Sequence, residues 1–246
     1  MRYEMMFAEQ LREAIKKNIP FVIPVGVLEY HSEHCVFGVD TLLIIKALEI
    51  VEKEMDIVIC PPFYYGAASY AVEPPESNGT IHIPSRTLYV FAKDLFKGML
   101  RIGIRNIHIF IHHQSENFVA GMPTDLAFKL AARESIFEYL EKERGEGWWG
   151  DEKMKDYYAM HQQGSDPFSW IKIHPFMDEE TQKKFPIDHA GMQETSLMLA
   201  FCPEGVDMKR FTEKKWYSQL ATKASLEYGL SAKEMILKSI KERLKL

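Results

Sequence analysis

Cysteine is scarce in this chain: Cys35, Cys60 and Cys202 are an odd set with no Cys-x-x-Cys spacing. That excludes a disulfide framework and argues against a cysteine-built structural zinc knuckle. Basic charge is not in excess either, since the formal net charge is -5, and nucleic acid is therefore not an expected partner. Nowhere do about 18 apolar residues run together, so no membrane span is expected. The opening Met1-Arg2-Tyr3-Glu4-Met5-Met6 also lacks the apolar core of a signal peptide, which makes a reducing cytoplasm the expected address. Repeats and low-complexity tracts are missing too. No domain boundary emerges, and residues 1–246 read as one domain.

What is present is an ordinary globular balance, 46% hydrophobic and 26% charged, in 246 residues, enough for one large α/β core. Apolar and charged positions alternate at helical spacing over residues 4 to 17, and Asn18 to Pro20 interrupt them before Phe21-Val22-Ile23, a buried-strand pattern. A helix follows Asp40, then a short strand at Asp56-Ile57-Val58-Ile59-Cys60 stopped by Pro61-Pro62. The order strand, helix, strand predicts a central, mostly parallel sheet flanked by helices on both faces. Residues 63 to 79 read as a loop over the carboxyl edge of that sheet, where ligands of open α/β sheets bind. A helix capped by Ser85 is expected near 86 to 102, a strand over 106 to 112, and a helix from Pro123 to about Arg144. Residues 161 to 188 read as a long ordered loop. A helix is expected after His189, and another, amphipathic and basic, over roughly the last 30 residues.

The chemistry concentrates at two strand ends. After Phe21-Val22-Ile23-Pro24-Val25-Gly26, Glu29 and His31 stand two apart, and in extended backbone such side chains project to the same side. Asp40 then heads a helix, where the exposed amides and the dipole favour a carboxylate. Two carboxylates and an imidazole make a mixed oxygen and nitrogen set suited to Zn or Mn. The same residues could equally be a packed histidine and two solvated acids. A second polar cluster, His112-His113-Gln114-Ser115-Glu116-Asn117, ends the strand Ile107 to Ile111 and could converge on the first.

The segment Pro24-Val25-Gly26-Val27-Leu28-Glu29-Tyr30-His31-Ser32-Glu33-His34-Cys35-Val36-Phe37-Gly38-Val39-Asp40 resembles the signature of the creatininase family, roughly P-V-G-S-x-E-x-H-G-x-H-L-P-x-x-x-D. Tyr65-Gly66 with Gly79-Thr80-Ile81, the stretch through Glu116-Asn117, and His189-Ala190-Gly191-Met192-Gln193-Glu194-Thr195-Ser196 are similar to further family segments in the same order. The resemblance implies a creatininase-like α/β fold, a homo-oligomer (hexamers are common in the family) and two divalent metal ions, Zn and/or Mn. Carried over position by position, the metal ligands become Glu29, His31, Asp40, Gln114 and Glu116. Gln114 falls where the family has an imidazole. Its amide oxygen could coordinate, His113 could take its place through a backbone shift, or a single ion could bind. His189 and Glu194 are implied as proton-handling residues, with Glu194 alternatively anchoring a ligand. His34 matches a second histidine of the motif.

Trp148 and Trp149, between glycines, read either as a cap over a flat polar ring or as a subunit contact, and the family's loop tryptophan favours the cap. The implied reaction is metal-assisted water attack on a carbonyl of a small cyclic polar substrate. Ser32, Cys35 and Val36 depart from the motif around the substrate side. Two substrates compete: a cyclic polyol-derived diketone of inositol breakdown, opened by C–C cleavage and favoured by the altered second cluster, or a creatinine-type cyclic amide, opened by C–N cleavage. Relatives that mature a ribosomally made cofactor read N-G-H-G-G-N at the second strand, which Glu116 counts against. The opposed reading is a metal or ligand binder that has lost turnover.

Overall fold

The computed structural model describes residues 1–245. Its centre is a four-stranded sheet in the order β2-β1-β3-β4, built from β1 (Phe21–Val25), β2 (Val58–Ile59), β3 (Ile107–Ile111) and β4 (Ile171–Pro175). Every neighbouring pair runs parallel, with Phe21 opposite Ile107 and Ile107 opposite Ile171. Helix α1 (Ala8–Lys16) precedes β1, and α2 (Val39–Val51), α3 (Ser85–Ile102) and α4 (Pro123–Arg144) supply the crossovers that parallel strands require. Four more, α5 (Tyr157–Gln162), α6 (Glu179–Lys184), α7 (Met192–Phe201) and α8 (Leu226–Leu244), complete the chain.

Alternation along the strands divides the core in two. Phe21, Ile23 and Val25 of β1 and Ile107, Ile109 and Ile111 of β3 meet Ala14, Ala92, Phe96, Phe128 and Ile136, so α1, α3 and α4 cover one face. Val22 and Phe110 point the other way, onto Leu43, Leu48, Leu197, Ile236 and Ile240 of α2, α7 and α8. Both faces are therefore buried, which is why β1 and β3 read as unbroken apolar runs. Among the described residues no helix is long and apolar enough to cross a membrane.

Most expected elements are present, but residues 161 to 188 are not one loop. They contain α6 and β4, the latter an edge strand whose four residues after Ile171 are only partly buried. Its signal is Ile-Lys-Ile-His closed by Pro175, too short an alternation to stand out from a loop. Ser85 is the first helical residue of α3 rather than its cap, and Pro84 occupies the cap position with no side-chain bond. Asp40 likewise lies inside the first turn of α2, behind Gly38.

Candidate metal centre

Gly26 sets the site, because it lets the tip of β1 touch the start of α2. A Cβ there would stand 2.5 Å from Thr41 Oγ1 and 2.6 Å from the Thr41 amide nitrogen. That approach carries Asp40 beside the loop that leaves β1, where Glu29 and His31 are both buried. The end of β3 adds His112 and His113, and the first turn of α7 adds Glu194. Asp188 accepts the amides of Gln193 and Glu194 at 2.8 and 3.1 Å, and the Ala190 amide donates to Glu194 Oε2 at 2.7 Å. These bonds fix the Glu194 carboxylate.

Three groups of possible ligands each have their donor atoms within 4.8 Å of one another: Glu29–His31–His189, and a pair of triads, Glu29–Asp40–His113 and His31–Asp40–Glu194. Asp40 belongs to both. Its Oδ1 faces His31 Nε2 at 3.5 Å and its Oδ2 faces His113 Nδ1 at 3.3 Å. His31 Nε2 lies 3.6 Å from Glu194 Oε2, and His113 Nδ1 lies 3.4 Å from Glu29 Oε2. Ligands bonded at about 2.0–2.1 Å to one tetrahedral ion stand roughly 3.3–3.5 Å apart, so these spacings are compatible with the edges of coordination polyhedra.

Electrostatics points the same way. His31 Nδ1 donates to the Glu29 carbonyl at 3.0 Å, which leaves Nε2 facing two carboxylates. His31 Nε2 and Asp40 Oδ2 have no hydrogen-bond partner although both are buried. Burial opposes charging His31, but the Glu194 and Asp40 carboxylates outweigh it and push the imidazole up to about 10. For His113, burial is likewise outweighed, here by Asp40 and Glu29, and the ring is pushed up to about 10. Asp40 and Glu194 are held well below the usual carboxylate range against their burial, each chiefly by His31. A cluster that draws positive charge this strongly from buried, unpartnered atoms fits a divalent cation.

A cavity of about 330 Å³ opens over the cluster, lined by Glu29, Asp40, His113, His189, Glu194 and the turn Gln114-Ser115-Glu116, with Val72 and Ile187 as apolar walls. His189 Nε2 donates to the Tyr30 carbonyl at 2.9 Å, its ring lies 4.5 Å from that of His31, and its Nδ1 stands 4.0 Å from Glu29 Oε2. His34 binds Thr195 Oγ1 through Nε2 at 3.0 Å, tying the β1 loop to α7.

The structure thus brings Glu29, His31, Asp40, His189 and Glu194 together. It does not gather Glu116, which is exposed on a 3-10 turn and belongs to neither triad. Gln114 adopts a left-handed backbone, φ 52, and this turn directs His113 rather than the glutamine at Glu29 and Asp40. Gln114 lines the cavity instead. Trp148 is buried in the core against Phe137, and Trp149 packs edge-on to Tyr157 and Tyr158; neither lines the cavity in this structure, unlike the cap expected of them. One member of the second polar cluster had no role in the sequence reading: His112, whose Nε2 faces Glu194 Oε1 at 3.5 Å. The doubled histidine at the end of β3 was its signal.

The family description "Creatininase: Creatinine amidohydrolase" matches residues 4–235. The chain belongs to the creatininase family. As a family member it is a creatininase-like, metal-dependent hydrolase. It is 26% identical over 194 residues to a creatinine amidohydrolase of Pseudomonas putida, a match covering 78% of this chain and 68% of that protein. It is 24% identical over 228 residues to a 3-dehydro-scyllo-inosose hydrolase of Thermotoga maritima, covering 92% of this chain but only 62% of that protein. Among solved structures, a manganese form of creatininase superposes with a TM-score of 0.75 at 18% identity, covering 99% of this chain and 97% of that one. A zinc form superposes at 0.71 and 19% identity, with coverages of 99% and 96%. At these identities the superpositions establish the shared fold.

Proposed function

We propose that this creatininase-family chain is a binuclear hydrolase in which Glu29, Asp40 and His113 hold one divalent ion and His31, Asp40 and Glu194 hold the other. The observation that carries the reading is the pair of triads sharing Asp40 at the floor of one cavity. Bound there, Zn or Mn would supply a nucleophilic water at neutral pH and polarise a substrate carbonyl.

The chain's own groups supply the rest. His189, with Nε2–H committed to the Tyr30 carbonyl, presents Nδ1 beside Glu29, where it takes up a proton and returns it to the leaving atom. His112 steadies Glu194 from the sheet side. Val72 and Ile187 exclude water from two walls.

The substrate is a small, uncharged, polar ring. Among the described residues no lysine or arginine lines the cavity to meet an anion and no tryptophan does so, and Gln114, Ser115 and Glu116 offer hydrogen-bonding groups instead. This lining favours a polyhydroxylated ring with a diketone, opened by C–C cleavage, over a flat creatinine-type amide opened by C–N cleavage. The resemblance further implies a homo-oligomer, which sedimentation of the purified chain would read against the 28.6 kDa monomer.

The test is direct. Protein loaded with Zn or Mn is assayed for metal content and for ring opening of 3-dehydro-scyllo-inosose and of creatinine. About two ions per chain and turnover of the diketone are expected. Turnover of creatinine alone would reverse the substrate assignment, and stoichiometric metal without either reaction would leave a binder.

A further inference from the structure

The loop from Phe63 to Ile83 passes over the cavity, and its base is stitched to the β1 loop by the backbone. The Tyr30 amide donates to Thr80 Oγ1 at 3.0 Å, and the Ile81 amide donates to the Leu28 carbonyl at 3.0 Å. The tip, residues 70–78, is held differently. Among the described residues, apart from the Ala71 amide, which donates to the neighbouring Ser69 Oγ at 3.3 Å, every hydrogen bond or ion pair that joins it to the rest of the chain ends on Glu73. Glu73 Oε1 accepts from the Tyr217 hydroxyl at 3.0 Å and meets Lys215 Nζ at 2.5 Å. The carboxylate is 12% and the ammonium 33% exposed, so solvent screens this charge-assisted pair only in part.

Both ends of this contact reach the site. Val72, adjacent to Glu73, forms a cavity wall. The Tyr217 ring packs edge-on against His189 with centroids 5.3 Å apart, and His189 is otherwise fixed by the Tyr30 carbonyl and the His31 ring. Burial and then Glu73 push the Tyr217 phenol up, so it stays a neutral donor.

We propose that Glu73, Lys215 and Tyr217 form a latch that holds the 70–78 tip closed over the cavity, and that Tyr217 is a positioning residue for His189. The second half rests on the reading of His189 as the proton-handling residue; the first does not. Releasing Glu73 frees the tip and, through Tyr217, loosens the imidazole, so one contact couples cavity closure to the placement of a proton carrier. Glu73→Gln keeps an acceptor for Tyr217 while discarding the charge that holds Lys215. Tyr217→Phe keeps the ring on His189 while discarding the bond to Glu73.

Two readouts separate the parts. In the full-length, zinc-loaded protein, chymotrypsin after Tyr70 and Glu-C protease after Glu76 report opening of the tip with no substrate present. Glu73→Ala is expected to raise the initial cleavage rate about tenfold, and Glu73→Gln to raise it less. With whichever of 3-dehydro-scyllo-inosose or creatinine is turned over, Tyr217→Phe is expected to lower kcat about tenfold with little change in KM. The Glu73→Ala/Tyr217→Phe double variant should be no slower than the slower single. Equal cleavage of Glu73→Ala and wild type would overturn the latch. Unchanged kcat in Tyr217→Phe, or effects of the two variants that multiply, would overturn the positioning role. If neither substrate reacts, the proposed function fails while proteolysis still decides the latch.

Discussion

Asp40 offers one oxygen to each triad, so its loss is felt in both. Asp40→Asn is expected to release at least one ion and to cut turnover by more than the roughly 10–100-fold that follows disturbance of an outer partner of a metal ligand. Metal analysis and kcat/KM check this together; a variant that kept both ions and full turnover would exclude the shared-carboxylate arrangement. Away from the site, His108 and His174 form a different pair. His108 Nε2 donates to Asn106 Oδ1 at 2.8 Å, so His108 Nδ1 accepts from His174 Nε2 at 3.0 Å and both rings are neutral. Burial lowers His108 to about 3 and His174 to about 2. In the unfolded chain both regain the ordinary value of 6.5, so between about pH 6.5 and 3 the unfolded state binds more protons and stability falls as pH falls. The slope approaches about 1.4 kcal/mol per pH unit for fully buried His108 and less for partly exposed His174. Urea unfolding of metal-free wild type and His174→Gln between pH 7 and 5 should give a shallower pH dependence in the variant.

Elements decide where the ligands meet, and here sequence reading had its strengths and its gaps. The Glu-x-His pair and Asp40 were legible because strand periodicity and helix-start chemistry are local. The candidate fifth ligand was not, because which of His113, Gln114 or Glu116 faces the centre depends on one left-handed residue at the end of β3. Glu194 was visible only through a resemblance, since nothing local shows that α7 points its first turn at β1. The tryptophan pair misled for a related reason: adjacent indoles between glycines look exposed, yet the 3-10 turn at Trp148–Gly150 folds Trp148 back onto α4. β4 was missed because an edge strand of five residues carries too little pattern. The contact of β1 with α2 also makes a prediction. Gly26→Ala places a methyl where Thr41 stands, at an expected cost of about 1–3 kcal/mol, and displaces Asp40 from Glu29. Thermal unfolding and zinc titration should therefore weaken together; a variant less stable but with unaltered zinc affinity would show that the approach serves packing alone.

At the scale of the whole molecule, three buried carboxylates crowd together on one edge of the sheet, and cations that bind the folded state alone stabilise it by mass action. At a free metal concentration near 100 times Kd, the gain is about 2.7 kcal/mol, or roughly 5–10 °C in Tm for a chain of this size. Calorimetry with and without chelator measures it, and an unchanged Tm would mean that the centre does not bind ions. The far face of the sheet depends on α8, whose Ala232, Ile236 and Ile240 are fully buried against α2 and α7 and whose Arg243 donates to the Pro175 and Phe176 carbonyls. During synthesis, then, a nascent chain that ends between residues 195 and 225 carries every candidate ligand but a half-open interior. A ribosome stalling in that interval would release a product with bare apolar surface, a client for chaperones rather than a truncated but working hydrolase.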